Sequence, residues 1–317
     1  METKVFRRKL YDKMLQWKAE RGGSTALLIK GARRVGKSTL AETFAKNEYD
    51  SYLFIDFTEV SQDIRDLFND ISDLDSLFLQ LQFKFHTRLY PKKSVIVFDE
   101  VQNCPMARQA IRKLVNDGRY DYIETGSLMS IRKNVQNIRI PSEETRMTLY
   151  PMDYEEFRWA LGDEVTIPLL NDAFEMRKGL GDTVTRQLLR DFRLYMLVGG
   201  MPQAVSKYIE TNDLGAVDAI KREIYAIPGQ LNSNATRYQL SSVVEQEHNY
   251  EIDFLLSRGS KVCPIEVKSS GYKTHASLDA FMKKYPERTA QGYLLYTKDM
   301  RKDSRILLTP VFMTMFL

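Results

Sequence analysis

The chain alternates between short apolar runs and longer segments in which apolar residues recur every three or four positions. The apolar runs have the length of buried strands, and the longer segments have the spacing of amphipathic helices. Alternation of this kind predicts an α/β fold in which helices cover both faces of a parallel sheet. The predicted strands are 26–29, 52–57, 95–100, 120–127 and 146–150, and the predicted helices include 6–17, 40–46, 74–89 and 105–118.

The pattern changes after residue 150. No strand is indicated from 151 to about 229, where amphipathic helices are expected around a turn at Gly199–Pro202. Asp153 followed by Glu156 has the spacing of a capping box and predicts a helix start. Strand patterns return near 251. We therefore predict an α/β core at 1–150, a helical lid at 151–232 and a small α/β module at 233–317.

One stretch between the first predicted strand and helix carries a complete phosphate-binding motif. Residues 31–39 read GARRVGKST and fit the pattern G-x-x-x-x-G-K-[ST] at every fixed position. Gly31 and Gly36 are expected to adopt positive φ, so that several N–H groups approach phosphate oxygens. Lys37 would supply charge to the β- and γ-phosphates, and the Ser38 hydroxyl would bind Mg²⁺. The expected nucleotide-binding residues are Gly31, Ala32, Arg33, Arg34, Val35, Gly36, Lys37, Ser38 and Thr39.

Two acids end the predicted strand at 95–100. Asp99 is placed to hold Mg²⁺, and Glu100 is placed to activate water for attack on the γ-phosphate. The strand at 120–127 is expected beside this one, so that Thr125 or Ser127 would reach the γ-phosphate or the water. The motifs therefore predict a nucleotide with a γ-phosphate and Mg²⁺ as ligands, with water favoured as the nucleophile; ATP is the nucleotide expected from the family resemblance given below.

Composition adds limits on the class of protein. The 317 residues are 43% hydrophobic and 28% charged, which is typical of globular domains. A net charge of +4 does not by itself indicate nucleic-acid binding. Cys104 and Cys263 lack metal-site spacing and predict free thiols in a reducing compartment. Neither a signal peptide nor an apolar run of about 20 residues is visible, so we expect a soluble, cytoplasmic protein without a membrane partner.

A hairpin is predicted at 251–268, followed by a helix at 275–285 and strands at 291–297 and 306–312. A turn centred at Arg258–Gly259 would make Asp253 a diagonal neighbour of Glu266, within reach of a shared divalent ion. Two-residue alternation predicts an apolar face and a polar face for this hairpin. The apolar face would contain Ile252, Phe254, Ile265 and Val267, and the polar face Asp253, Glu266 and Lys268.

An acid on one strand and E-x-K on the next resembles the core of restriction-endonuclease-like folds. There two carboxylates hold Mg²⁺ and the lysine orients water or stabilises charge. Asp253, Glu266 and Lys268 are therefore candidate nuclease-like residues, with Asp253 and Glu266 as metal ligands. A solvated hairpin face is the alternative interpretation. A further acid from a preceding helix has only Glu245 and Glu247 as candidates.

The motifs together resemble the bacterial and archaeal AAA-type P-loop ATPases that carry a C-terminal domain of unknown function. The similarity lies in GARRVGKST, VIVFDEVQ, IETGS, TRMTLYPMDYEEF and VGGMP. It implies that Asp99 is the metal-associated acid, Glu100 the catalytic base and Ser127 a polar sensor. It also implies, more weakly, a charge-sensing role for Arg146 or a role across a subunit boundary of a homo-oligomer.

The resemblance covers residues 4–230 and 247–317. In this family a sizeable segment separates the lid from the C-terminal core, whereas here 227–234 runs almost directly into 243–247. The chain therefore looks internally shortened. The leading prediction is a Mg²⁺-dependent ATPase that couples nucleotide state to a module binding DNA or a protein. Two alternatives stay open: an ATP-gated, metal-dependent DNA nuclease, and a non-catalytic nucleotide switch with a degenerate nuclease-like binding module.

Overall fold

The computed structural model describes residues 4–127, 143–225, 252–269 and 274–317. The chain folds into two compact units. The first unit comprises Met1–Leu161 and Val198–Ala235, and the second comprises Gly162–Leu197 and Thr236–Leu317. The chain therefore enters the second unit after Leu161 and returns to the first at Val198. Each unit contains a five-stranded sheet.

Strands and helices alternate through residue 149 of the first unit. They are α1 (Lys9–Arg21), β1 (Ala26–Gly31), α2 (Lys37–Glu48), β2 (Ser51–Asp56), α3 (Gln62–Asp66), α4 (Leu74–Lys84), β3 (Ser94–Asp99), a 3-10 turn (Val101–Asn103), α5 (Pro105–Asp117), β4 (Asp121–Ser127) and β5 (Glu144–Leu149). The strands are all parallel, in the order β2-β3-β4-β1-β5. β4 lies beside β3, as predicted, and separates it from β1.

Helices cover both faces of this sheet because successive side chains of each buried strand point to opposite sides. On one face, α1 and α2 pack on a cluster that contains Leu27 of β1 and Val97 of β3. On the other face, α3, α4 and α5 pack on a cluster that contains Ile96 and Phe98 of β3. The predicted α/β class, a P-loop type of parallel sheet with helices on both faces, is confirmed.

Between β5 and residue 225 the structure describes five helices: α6 (Tyr154–Ala160), α7 (Thr166–Glu175), α8 (Asp182–Val198), α9 (Pro202–Thr211) and α10 (Leu214–Tyr225). α6 begins with the predicted capping box, in which Asp153 and Glu156 each accept a hydrogen bond from the other's backbone N–H. α6, α9 and α10 belong to the first unit, whereas α7 and nearly all of α8 belong to the second. The segment predicted as a lid is thus shared between the units. Within the described ranges, no helix is both long and apolar enough to cross a bilayer.

The second unit is completed by β6 (Phe254–Arg258), β7 (Lys261–Val267), α11 (Ala276–Lys284), β8 (Gly292–Tyr296), β9 (Arg301–Asp303), β10 (Ile306–Pro310) and a 3-10 helix (Val311–Phe316). The sheet order is β6-β7-β8-β10-β9. The inner pairs β7–β8 and β8–β10 are parallel, and both outer pairs are antiparallel. α11 packs on the sheet through Leu278 and Met282. The predicted αβ pattern of this region is confirmed.

The register of the β6–β7 hairpin differs from the prediction. Arg258 pairs with Lys261 and Phe254 with Ile265, so the turn consists of Gly259–Ser260. The physical reason is the backbone of Gly259, whose φ of 61° suits the first position of a tight hairpin turn. The turn lies one position later than predicted, and the pairing is therefore displaced by two residues.

The predicted apolar face of the hairpin is also wrong in part. Phe254 and Val267 are 47% and 45% exposed, whereas Ile265 is buried. β6 is an edge strand, and a bend at Asp253 interrupts the two-residue alternation. Ile252, before the bend, packs against the cluster under α11. Ile252 and Phe254, which are two residues apart, therefore do not lie on one apolar face.

Asp299, in the loop between β8 and β9, ties the start of α8 to the second sheet. Its carboxylate accepts hydrogen bonds from the backbone N–H of Leu180 at 2.8 Å and of Gly181 at 2.6 Å. It also accepts from the Thr185 hydroxyl at 3.1 Å and from the N–H of Met300 at 2.9 Å. Burial raises the pKa of Asp299, but these donors outweigh it and hold the pKa below its usual range. The contacts explain why α8 belongs with the C-terminal sheet.

Replacing Asp299 by Asn is expected to lower the free energy of unfolding of the second unit by about 1 kcal/mol at pH 7, because charge-assisted hydrogen bonds to a partly exposed carboxylate are lost. A carboxylate with a depressed pKa stabilises the fold above its unfolded pKa, near 4, and this contribution disappears as pH falls through the folded value. The difference from the unmodified protein in urea unfolding should therefore shrink below about pH 4. Glu287→Gln, at an exposed position of the same unit, is the control. An equal effect of both variants at pH 7 would contradict the assignment.

Candidate nucleotide-binding site

Residues 31–39 connect β1 to α2, as the motif predicts. Gly36 caps α2 with a φ of 97°, which favours glycine. The predicted positive φ at Gly31 is wrong: this residue ends β1, and the other left-handed position in the loop is Arg34, with φ 59°. Gly31 is required for a different reason, because a Cβ there would lie 2.4 Å from the Leu149 carbonyl oxygen of β5.

Lys37 opens α2 and is almost entirely buried, with 4% of its surface exposed. Its Nζ donates to the Ala32 carbonyl at 3.0 Å and lies 4.0 Å from Glu100 Oε1. Burial lowers the pKa of Lys37, while the carboxylates of Glu100 and Asp99 act in the opposite direction. A buried ammonium group at a helix N-terminus is suited to receive phosphate oxygens.

Asp99, at the end of β3, sits in a group of hydroxyls. The Thr125 hydroxyl donates to Asp99 Oδ1, and the Ser38 side chain also hydrogen-bonds to this carboxylate. Burial raises the pKa of Asp99, and the two hydroxyls only partly offset it. Hydroxyl and carboxylate oxygens are the hard ligands that Mg²⁺ prefers. Ser38 and Asp99 therefore fit the predicted metal site.

Glu100 directly follows β3 and adopts a left-handed backbone, with φ 49°. Such a conformation costs a non-glycine residue about 1–3 kcal/mol and is concentrated at functional sites. The Glu100 N–H donates to Thr125 Oγ1 at 3.1 Å, and Gln102 Nε2 donates to Glu100 Oε2. The side chain is thereby held near Lys37, about a quarter exposed. Gln102 was not among the predicted site residues, although it lies only two positions after Glu100.

Ser127, the predicted sensor, is buried at the end of β4 and pairs in register with Gly31. It therefore lies at the start of the phosphate loop. Thr125, two residues earlier, is the β4 residue that links Asp99 to the Glu100 backbone. The sequence named both as candidates. The assignment of Ser127 as a sensor stays a prediction.

Arg146 lies on β5 with about half of its side chain exposed, and its Nε is 2.6 Å from Glu144 Oε1. Glu144 also pairs with Arg108, which in turn pairs with Glu124 of β4 at 3.0 Å. Burial raises the pKa of Glu124 above its usual range, and the charge of Arg108 only partly offsets this rise. This buried ionic network was not predicted, because the pattern of a continuous strand does not show which positions carry paired charges. Within it, Arg146 is held by an ion pair.

A cavity of about 300 Å³ lies beside the phosphate loop, a volume at the lower end for ligand pockets. One wall is the segment 4–8, which precedes α1, and the floor includes Gly36 and the first turns of α2. Pro202, the first residue of α9, lines the other side. We call it the loop-side cavity. The loop-side cavity could not be predicted from sequence patterns, because its walls come from three distant segments. Its remaining lining residues are Tyr11, Asp12, Thr39, Leu40 and Thr43.

The structure also brings the nuclease-like residues together at the start of β6 and the end of β7. Continuing the pairing of these strands by one residue puts Asp253 across from Glu266 rather than diagonal to it. Asp253 Oδ2 accepts from the Val267 N–H at 2.7 Å, and Lys268 Nζ lies 3.1 Å from Glu266 Oε1. Lys268 also donates to the Thr274 carbonyl at 2.8 Å. Glu266 is only 8% exposed, and its Oε2 has no hydrogen-bond partner among the described residues.

Other acids do not complete this group where the structure describes the chain. Glu245 and Glu247, the predicted helix acids, lie outside the described residues. Within the described ranges, no three or more His, Cys, Asp or Glu side chains are gathered as a metal cluster. The C-terminal pair is therefore a two-carboxylate arrangement. Cys104 and Cys263 are both buried free thiols, as predicted.

Two family matches agree with this organisation. Residues 23–158 match the family described as AAA domain, and residues 229–312 match the domain of unknown function DUF4143. The chain thus carries an AAA domain followed by a C-terminal domain of unknown function, the arrangement that the resemblance implied. None of the curated proteins matches the sequence.

Similar solved structures include the Aeropyrum pernix ORC1 protein in complex with DNA, at 13% identity and a TM-score of 0.37. That match covers 70% of this chain and 66% of the ORC1 chain. PCH-2 of C. elegans is similar at 10% identity and a TM-score of 0.33, covering 68% of this chain and 64% of PCH-2. This chain therefore spans less than two thirds of the length of each. Similarity at this level carries no argument about function.

Proposed function

We propose that the first unit binds ATP with Mg²⁺ and hydrolyses it. The observation that carries this proposal is the approach of Glu100 Oε1 to within 4.0 Å of Lys37 Nζ, with Asp99 and Ser38 in contact beside them. Phosphate binding, metal binding and water activation need these four side chains at one place. The sheet brings them together because β1 and β3 are parallel and both open toward the phosphate loop.

Each residue has a role that follows from its chemistry. Lys37 and the loop N–H groups would bind the β- and γ-phosphates. Ser38 and Asp99 would hold Mg²⁺, which when bound neutralises phosphate charge. Glu100 would accept the proton of the attacking water. Gln102 would orient the Glu100 carboxylate, and Thr125 would hold the Glu100 backbone. The loop-side cavity would take the adenine base, since it adjoins the phosphate loop and mixes apolar with polar walls.

Nucleotide state is proposed to act on the C-terminal module through the points where the chain changes unit. The chain leaves the first unit after Leu161, at the end of α6, and returns at Val198, four residues before the cavity residue Pro202. The return connection therefore adjoins an element that lines the loop-side cavity. This supports a role in which binding and hydrolysis change how the module engages DNA or a protein.

Glu100→Gln is expected to lower ATP turnover by about 100-fold or more while ATP affinity stays within a few-fold, because an amide binds like a carboxylate in shape but does not accept the proton. Steady-state turnover and direct ATP titration in the presence of Mg²⁺ measure the two quantities. Glu20→Gln, at an exposed position in the last turn of α1, is the control. Unchanged turnover in Glu100→Gln would remove this residue from the role of base. Binding without turnover in the unmodified protein would favour the nucleotide switch.

A second function is favoured by one observation in the C-terminal unit. Glu266 is buried beside Lys268 and across from Asp253, and one of its oxygens has no partner among the described residues. A buried carboxylate oxygen without a donor is costly unless a ligand or cation satisfies it. A divalent cation held by Asp253 and Glu266 would supply that partner. This supports a metal-dependent DNA nuclease gated by ATP.

Glu266→Gln is expected to abolish metal-dependent nicking of supercoiled plasmid, since an amide oxygen is a much weaker ligand than a carboxylate. Nicking is measured with Mg²⁺ or Mn²⁺, with and without ATP. Glu287→Gln should leave nicking unchanged. Persistent nicking in Glu266→Gln would exclude this site. Salt-sensitive DNA binding without any nicking would instead favour a degenerate binding module.

A further inference from the structure

The segment 150–156, which follows β5 and starts α6, is hydrogen-bonded to one wall of the loop-side cavity and to Gly200, two residues before the other wall, and lines neither wall. One of these walls is the segment 4–8, and the other contains Pro202. The segment belongs to the TRMTLYPMDYEEF motif, to which the proposed ATPase chemistry assigns no role. The hydrogen bonds of segment 150–156 indicate that it holds the walls of the loop-side cavity in position.

Arg8 connects the N-terminal wall to the phosphate loop and to the end of β5. Its Nη1 donates to the Val35 carbonyl at 3.0 Å, and its Nη2 donates to the Tyr150 carbonyl at 2.5 Å. The residue is only 5% exposed, so its charge lies inside the protein. The planar guanidinium fork allows these contacts in separate directions, which a lysine would not. Arg8 thereby fixes the wall relative to the loop.

Glu156 compensates the buried charge of Arg8. Its Oε1 lies 3.2 Å from Arg8 Nε, an ion pair without hydrogen-bond alignment, and accepts a hydrogen bond from the Lys9 N–H at 2.7 Å. Its Oε2 accepts from the Asp153 N–H at 3.3 Å, within the capping box. Glu156 is itself 5% exposed. One carboxylate thus joins the start of α6 to the segment that forms the cavity wall.

The opposite wall is attached to the same segment. The Met152 N–H donates to the Gly200 carbonyl at 2.7 Å. A Cβ on Gly200 would lie 2.0 Å from the Met152 carbonyl oxygen, so the two backbones approach this closely only because residue 200 is glycine. Two residues later, Pro202 enters the cavity, with its Cγ 3.7 Å from where a Cβ on Gly36 would lie. Segment 150–156 therefore places both walls.

We propose that Glu156 is a positioning residue for the nucleotide base, because it holds the N-terminal wall in place through Arg8 and touches no ligand itself. This inference rests on the proposed binding of ATP. Removing one member of a buried ion pair leaves the other charge uncompensated, which is far more costly than losing an exposed pair. Without Glu156, Arg8 turns toward water and takes the segment 4–8 with it. The phosphate loop keeps its own supports in β1 and α2.

The test uses Glu156→Gln and the neighbouring variant Glu155→Gln. Glutamine keeps the volume of Glu156 and removes the negative charge that faces Arg8. It has one acceptor oxygen where Glu156 uses two, so it keeps either the capping-box hydrogen bond or the one from the Lys9 N–H. Glu155 is one residue away and pairs with the half-exposed Lys9 Nζ at 2.6 Å, not with Arg8. The two ligands are ATP and inorganic tripolyphosphate, each with Mg²⁺. Only ATP has a base, so the ratio of the two affinities reports the cavity.

Glu156→Gln is expected to weaken ATP binding by at least tenfold and to leave tripolyphosphate binding within twofold, while Glu155→Gln leaves both within twofold. Faster hydrogen exchange of the Lys9 amide should accompany the change. An ATP affinity within twofold of the unmodified protein, or an equal loss for both ligands, would overturn the proposal. If the unmodified protein does not bind ATP, the proposed function fails, and this outcome is recognised before any variant is compared.

Thermal unfolding of each variant separates positioning from loss of the fold. Should Glu156→Gln not fold, Arg8→Gln tests the same pair from its other member with the same ratio of affinities. A tenfold selective loss for ATP supports the proposal, and an unchanged ratio overturns it.

Discussion

A charge buried in a protein must be compensated, and two of the buried cations in the first unit, Arg8 and Lys37, are compensated in different ways. Arg8 is matched within the fold by two carbonyl oxygens and by Glu156, so it serves as a fixed connection between segments. Lys37 has one carbonyl at 3.0 Å and a carboxylate only at 4.0 Å. Its compensation is incomplete, which leaves capacity for phosphate oxygens. The fixed cation shapes the cavity, and the incompletely matched one is placed to bind ligand.

The helices that follow β5 are divided between the two compact units of the chain. α7 and α8 belong with the C-terminal sheet, and the Asp299 carboxylate shows how that association is made at the start of α8. The helices between β5 and the C-terminal module are therefore of two kinds. α6, α9 and α10 stay with the nucleotide-binding unit, while the others are part of the module's own fold. A simple lid of consecutive helices does not describe this chain.

Local sequence features predicted much of this structure. The phosphate loop, the two acids at the end of β3, the capping box at α6 and the neighbouring positions of β3 and β4 all follow from spacing and strand order. The hairpin register was missed because it depends on the φ of Gly259, which sequence spacing does not give. The role of Gly31 was missed for a similar reason, since only the approach of β5 explains it.

Contacts between distant segments were beyond prediction. Glu156 and Lys9 are 147 positions apart, and neither residue has a local signal for the other. The loop-side cavity is assembled from 4–8, α2 and Pro202 and shares this origin. Sequence patterns report which face of an element is buried, but not which charged side chains meet there. The phosphate-loop motif was thus visible in the sequence, and the walls of the loop-side cavity were not.

The most direct test of the account is calorimetric titration of ATP with Mg²⁺ into the unmodified protein, Lys37→Ala and Lys46→Ala. Lys46 lies exposed on the same helix as Lys37 and controls for the loss of a charge. The account predicts one ATP bound per chain, a loss of affinity of at least about tenfold in Lys37→Ala, and no comparable loss in Lys46→Ala. Equal affinities in all three proteins would contradict the assignment of this loop as the site that binds nucleotide.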